Sequence, residues 1–261
     1  MNAAIRDQVM LSSRNDRVLQ LRIHSPATRN SIGPAFFEAA GQALREAQGD
    51  PQIGAIVIAG HGDFFSSGGN LHQLAAMAGK TEPERLARLE IFHGLIRQIR
   101  RSGKPVIMAV EGGAAGAGMS LALSGDLLIA SKGAFFTAAY VKAGLTPDGG
   151  LTALLSESLP RQLVTHLCLT GARITAERLH ELGVVNELSN PGEAVDRAME
   201  LGRRLAAGPP RATARILQLC DSAVTADLDT QLGCEAELMV HSLGDPEAGE
   251  GIARVLKPRA G

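Results

Sequence analysis

Residues 104–131 read KPVIMAVEGGAAGAGMSLALSGDLLIAS, and the fold class follows from this stretch. Its first part, KPVIMAVEGG (104–113), is apolar without a polar alternation. That is the signature of a strand covered on both faces, as in a parallel sheet. Glycines then break the run, and AAGAGMSLALSGD (114–126) has the small-residue content of a closely packed helix. LLIAS (127–131) returns to strand character. A strand, a glycine turn, a helix and a second strand in one stretch predict an α/β domain.

The same alternation extends in both directions. Upstream, VLQLRI (18–23) alternates as a strand does, SPATRNSIGP (25–34) holds several breakers, and PAFFEAAGQALREAQGD (34–50) has helical spacing. Phe37, Ala40 and Leu44 share a face of that helix, and Pro34 suits its first turn. IGAIVIAG (53–60) is a second buried strand, followed by the glycine-rich loop GDFFSSGGN (62–70) and a long amphipathic helix over 82–101. Downstream, AFFTA (134–138) and GVVNEL (183–188) read as strands, and 151–167 and 175–182 as helices. After about residue 193 the pattern is helical, broken by GPP (208–210). The organisation expected is a core over 1–195 with a helical region over 196–261 that must bury its apolar face on its own domain or on a neighbouring subunit.

Composition narrows the function classes. The chain of 261 residues is 45% hydrophobic and 20% charged, with formal net charge −1. A broad nucleic-acid footprint needs clustered excess Lys and Arg, so no nucleic-acid partner is expected. The one basic run, RQIRRSGK (97–104), reads as a solvated helix end. No run approaches the roughly 18 apolar residues of a membrane span, and MNAAIRDQVML lacks the apolar stretch of a signal peptide. Cys168, Cys220 and Cys234 are too far apart for a disulfide framework or a zinc pattern, which predicts a reducing, cytoplasmic home and no metal.

The chemistry-bearing feature is a pattern that occurs twice: a buried strand, a glycine-rich turn, then a helix start. Glycine lets main-chain N–H groups approach a ligand, and a helix start leaves its first N–H groups unpaired. Two such turns side by side can aim two donors at one carbonyl oxygen. A dinucleotide fingerprint is not met, because the stretch from Gly116 lacks its last glycine. Gly118-Met119-Ser120-Leu121-Ala122 is a near miss to the nucleophile elbow, leaving Ser120 as a candidate hydrolase nucleophile or as a small helix residue beside a pocket.

Five segments in order resemble the enoyl-CoA hydratase/isomerase family, the crotonase superfamily. They are FFSSGGNL (64–71), 104–131, AFFTAAYVKAGLTPDGGLTALL (134–155), LTGARITAERLHELGVVNEL (169–188) and DPEAGEGIARVLKPR (245–259). The resemblance implies a crotonase-like spiral of repeated ββα units with a C-terminal helical trimerisation region that also completes the CoA pocket. It implies a homotrimer or a dimer of trimers, and an acyl-CoA thioester ligand with no further cofactor. The thioester oxygen would lie between the N–H groups of Gly69 and Ala117, the latter an alanine where glycine is usual. Ser67 and Leu71 would border the CoA path, and Arg29 and Lys257 match positions near CoA phosphates.

The resemblance also bears on the acid. Family hydratases use two glutamates to add water, and the matching positions hold Ser120 and Tyr140. Asp148, in the turn TPDGG, falls where family isomerases carry a lone acid. A 3-enoyl to 2-enoyl isomerase needs only one proton shuttle, and an apolar pocket would raise that carboxyl's pKa. Tyr140 is expected to line the acyl pocket or to hydrogen-bond a substrate group. His93 matches the histidine of a branch that hydrolyses aryl-CoA halides with an aspartate nucleophile, although no Trp surrounds the site here. An isomerase is therefore expected, with a hydratase, a dehalogenase-like hydrolase and a non-catalytic acyl-CoA binder as alternatives.

Overall fold

The computed structural model describes residues 9–256. Its main sheet has six strands in the order β1-β2-β3-β4-β6-β9. These are β1 (Met10–Asn15), β2 (Val18–Ile23), β3 (Ala55–Gly60), β4 (Val106–Val110), β6 (Leu127–Ser131) and β9 (Glu187–Ser189). The first pair is an antiparallel hairpin, with Asn15 opposite Val18, and every later pairing is parallel. A smaller sheet joins β5 (Gly113–Ala115), β7 (Phe135–Thr137) and β8 (Arg173–Thr175) in that order.

The two sheets show how the spiral is built. β4 enters the main sheet, β5 steps off into the small one, and helix α4 (Ala117–Leu123) returns the chain to β6. β6 then hands over to β7 in the same way. The turn before these follows suit: after β3, residues 65–66 run beside β5, with Ser66 bridged to Ala114, before α2 (Leu71–Ala75) and α3 (Glu82–Arg100) begin. The turns from β4 and β6 thus place one strand in each layer and then a helix, and the turn from β3 places a bridged segment there, the crotonase-like ββα architecture that the resemblance implies.

Along the central strands alternate side chains enter two different cores, following the two-residue period of a strand. Ile56 and Ile58 of β3 join the larger core with Met108 and Val110 of β4, under α1 (Pro34–Gly49) and α3. Ala55, Val57 and Ala59 face the other way, against Ala194, Ala198, Met199 and Ala206 of α8 (Ala194–Ala206). Small side chains on both partners let the helix lie close to the sheet. This helix straddles the expected boundary at 195/196 yet packs on the sheet. The three helices after it, α9 (Pro210–Ala223), α10 (Leu228–Leu243) and α11 (Pro246–Leu256), have no buried residue among those described.

Several elements differ from the sequence reading. The helix expected over 151–167 is two, α5 (Leu151–Ser156) and α6 (Arg161–Thr170), because Pro160 cannot supply an N–H to a continuous helix. The strand expected over 183–188 is the shorter β9, and the stretch 104–113 divides at Gly112, whose φ is +62. α7 (Ala176–Glu181) lies within its expected range. No helix among the described residues is long and apolar enough to cross a membrane.

Candidate active site

The two glycine turns lie against each other through main-chain bonds. Phe65 N–H donates to Glu111 O at 2.9 Å, Ser66 N–H to Gly113 O at 3.3 Å, and Ala115 N–H to Ser66 O at 3.0 Å. The approach is close enough that only glycine fits at residue 68. It has φ +92, and a Cβ there would lie 2.4 Å from Ala115 O and 3.3 Å from the Ala117 nitrogen. Next to this contact are Gly69 and Ala117, the expected donor pair. Neither N–H donates to a described residue. Ala117 opens α4 without a positive φ, so its methyl group adds no backbone strain where glycine is usual.

Residues that the sequence reading passed over hold the first turn in place. Asn30, 1% exposed with φ +56, donates from Nδ2 to His61 O and Phe64 O and accepts Ser25 N–H at Oδ1. Ser66 Oγ donates to Asn30 O at 2.7 Å and accepts from Gly68 N–H at 3.1 Å. The available signal was an Asn inside a breaker-rich loop, since Asn tolerates the left-handed region.

Three expected binding residues surround these turns. Ser67 Oγ donates to Thr28 O at 2.7 Å, so its hydroxyl ties two loops together. Arg29 caps the short 3-10 turn Pro26–Thr28, and its guanidinium lies 5.7 Å from the centre of the Phe64 ring. Leu71 opens α2 and is 66% exposed. Lys257 lies outside the described residues.

Asp148, Tyr140 and Ser120 come together. Tyr140 OH donates to Asp148 Oδ1 at 2.6 Å, and Ser120 Oγ donates to the Asp148 main-chain oxygen at 2.9 Å. The two hydroxyl oxygens are also 2.9 Å apart. Ser120 is wholly buried and Tyr140 nearly so. Both hydroxyls are therefore turned to the aspartate rather than outward to a ligand, and no described histidine bonds to Ser120 Oγ. Burial raises the Asp148 pKa above the ordinary carboxylate value, opposed by the Tyr140 hydrogen bond and the nearby His93. Burial first, then the Asp148 charge, pushes the Tyr140 phenol up, so it stays a donor at neutral pH. Asp148 Oδ2 accepts no hydrogen bond from a described residue and is not sealed from solvent.

α3 supplies the wall. Thr81 and Glu84 form a reciprocal cap that fixes its start. Phe92 stacks on Phe37 with ring centres 4.7 Å apart, and His93 follows it. His93 Nδ1 is 3.1 Å from Glu90 Oε1, and Arg97 bonds the other oxygen of that carboxylate. His93 is thus held by Glu90, with no hydrogen bond to Asp148 or Ser120 among the described residues.

The profile of the family described as Enoyl-CoA hydratase/isomerase matches residues 13–259. The 1,2-epoxyphenylacetyl-CoA isomerase of Escherichia coli K12 is 32% identical over 254 residues, 97% of each chain. The 2,3-dehydroadipyl-CoA hydratase of the same organism is 30% identical over 96% of each. A crystal structure described as an enoyl-CoA hydratase from Polaromonas sp. JS666 superposes with a TM-score of 0.93 at 40% identity, covering 95% of this chain and 96% of that one. Sequence and architecture agree over nearly the whole length, and the chain belongs to the enoyl-CoA hydratase/isomerase family.

Proposed function

We propose that the protein is an enoyl-CoA isomerase that converts 3-enoyl to 2-enoyl thioesters, with Asp148 as the single acid–base. The observation that carries this reading is the company the carboxyl keeps. Asp148 is a half-buried acid with one oxygen free, and the two positions where family hydratases carry glutamates hold hydroxyl side chains bonded to it. One shuttling acid suffices for an allylic proton shift, whereas hydration by the family route needs a second.

In the reaction, Asp148 takes a proton from C2. The C–H electron pair moves to form the enolate, whose oxygen is held by the Gly69 and Ala117 N–H groups. The same acid then delivers the proton to C4 as the double bond settles between C2 and C3, so nothing is gained or lost overall. The raised Asp148 pKa suits both halves, since a proton taken too weakly or held too tightly slows one of them. Arg29, Ser67 and Leu71 border the CoA path in this reading, and the exposed apolar face of α9–α11 is closed by copies of the same chain in a trimer or a dimer of trimers.

The test is Asp148→Asn, assayed with a 3-enoyl-CoA by the absorbance of the conjugated product. Acyl-CoA binding should persist while isomerisation falls about 10²- to 10⁴-fold, the range for a removed acid–base. Undiminished turnover would end this assignment. Rapid hydration of crotonyl-CoA by the unmodified protein would favour a hydratase, the activity named for the 2,3-dehydroadipyl-CoA relative.

A further inference from the structure

We infer that Tyr140 and Ser120 are positioning residues that clamp Asp148 by Oδ1 and by its main-chain oxygen, leaving Oδ2 as the oxygen that takes and returns the proton. The inference rests on the isomerase reading but is carried by different observations. Two hydrogen bonds and one close contact join the three residues in a small ring: Tyr140 OH donates to Oδ1 at 2.6 Å and Ser120 Oγ to Asp148 O at 2.9 Å, with the two hydroxyl oxygens 2.9 Å apart. All three groups come from different segments: α4, the 3-10 turn Ala139–Ala143 and the loop before α5.

The ring accommodates both protonation states without rearrangement. With the carboxylate ionised, the tyrosine proton lies on the Oδ1 bond and the serine proton on the main-chain carbonyl. When Oδ2 gains a substrate proton, Oδ1 becomes the carbonyl oxygen of the acid and still accepts from Tyr140. The carboxyl therefore need not rotate between removing a proton and returning it. A carboxyl free to turn would present either oxygen and lose alignment between C2 and C4. The groups that set its charge balance are few. Tyr140 faces Oδ1, and His93 approaches from α3 with Glu90 and Arg97 behind it. The Ser120 side offers only a hydroxyl.

Tyr140 is the single tyrosine of the chain, which makes the test selective. Growth on 3-fluorotyrosine replaces that one side chain with a more acidic phenol of nearly the same size. The single fluorine resonance of the full-length protein should then follow the titration of Asp148, and Asp148→Asn should abolish that transition. The acid limb of the kcat profile should move to lower pH with fluorotyrosine, a stronger donor that favours the carboxylate. In Tyr140→Phe it should move to higher pH by about one unit, the equivalent of one charge-assisted hydrogen bond. Ser120→Ala should move it the same way by less, with KM changed less than kcat. It also keeps the comparison available if the phenylalanine variant folds poorly.

Coincident acid limbs in all four proteins, or a fluorine resonance indifferent to Asp148, would overturn the clamp. A fluorine transition that Asp148→Asn removes, in a protein that isomerises no 3-enoyl-CoA at any pH, would instead leave the clamp standing and remove the isomerase reading.

Discussion

Gly149 shows how much of the site is decided by a residue with no side chain. Its φ is +61, and a Cβ there would meet Phe92 Cε1 at 2.3 Å and Ser120 Cβ at 2.9 Å. The turn that carries Asp148 is thus pressed against the stacked aromatic wall and the buried serine at once. Gly149→Ala combines backbone strain with overpacking, and should cost at least about 2 kcal/mol in urea unfolding. It should also lower kcat about 10²-fold, because the neighbouring carboxyl has to move. A variant with unchanged stability and rate would show that the turn relaxes freely. At this scale the sequence discloses the acid itself, since an aspartate in a Pro-Gly turn is visible there. It does not disclose what the acid touches. Ser120 and Asp148 are 28 positions apart, and no periodicity relates a helix residue to a distant loop. Tyr140 and Ser120 were therefore expected to face a ligand, whereas their hydroxyls face the aspartate.

At the scale of elements, legibility tracks burial. β3, β4 and β6 stand out as unbroken apolar runs because both of their faces are covered. β1 is mostly exposed, with a polar end, and its sequence MLSSRN resembles a loop. β8 has three residues and α2 five, too few for a period to register. The N-terminus of α8 depends on a residue far away in sequence. Glu111, 8% exposed at the end of β4, accepts Gly192 N–H at 3.1 Å with Oε2 and Ala194 N–H at 2.8 Å with Oε1. A carboxylate also suits the positive end of that helix. Glu111→Ala leaves these N–H groups without acceptors and should lower stability by about 1–3 kcal/mol in denaturant unfolding. Glu111→Gln, which keeps one acceptor, should lose less. Equal stability of all three proteins would contradict the capping role.

Over the whole molecule, the distribution of apolar surface is uneven. Ile216, Leu228, Leu232, Met239, Val240, Leu243 and Val255 are all exposed, the last at 84%, on helices with no buried residue. A groove of about 410 Å³ runs along α11, lined by Ala212, Ile252, Val255 and Leu256 among others. What ties these helices to the body is partly ionic: Arg100 at the end of α3 bonds Asp221 Oδ1 at 2.6 Å and lies 3.6 Å from Glu157. Apolar patches of this extent mark interaction surfaces. The proposed self-assembly predicts a mass of three or six chains by light scattering, and Met239→Asp should shift it to smaller species. A stable single chain at micromolar concentration would refute it. The sequence conveyed that this region needs a surface to cover it. It could not convey that α8 belongs to the core, because the alanines that let it approach the sheet carry little hydrophobic signal on their own.

The seam between the two glycine turns is held by peptide groups alone, from Phe65 through Ala115, with Asn30 and Ser66 bracing it from behind. The side chains at positions 93, 120, 140 and 148 take no part in that bracing; Ser120 meets the second turn only through its N–H, which donates to Gly116 O at 3.2 Å. The anion cradle and the proton-handling groups are therefore separable parts, and a protein engineer can exchange the second set while the first stays as it is. Glutamates grafted at 120 and 140 would keep that seam, though Ser120 is wholly buried against Gly149 and the longer side chain needs room made for it, so a change of reaction there would amount to a change of tool in the same handle.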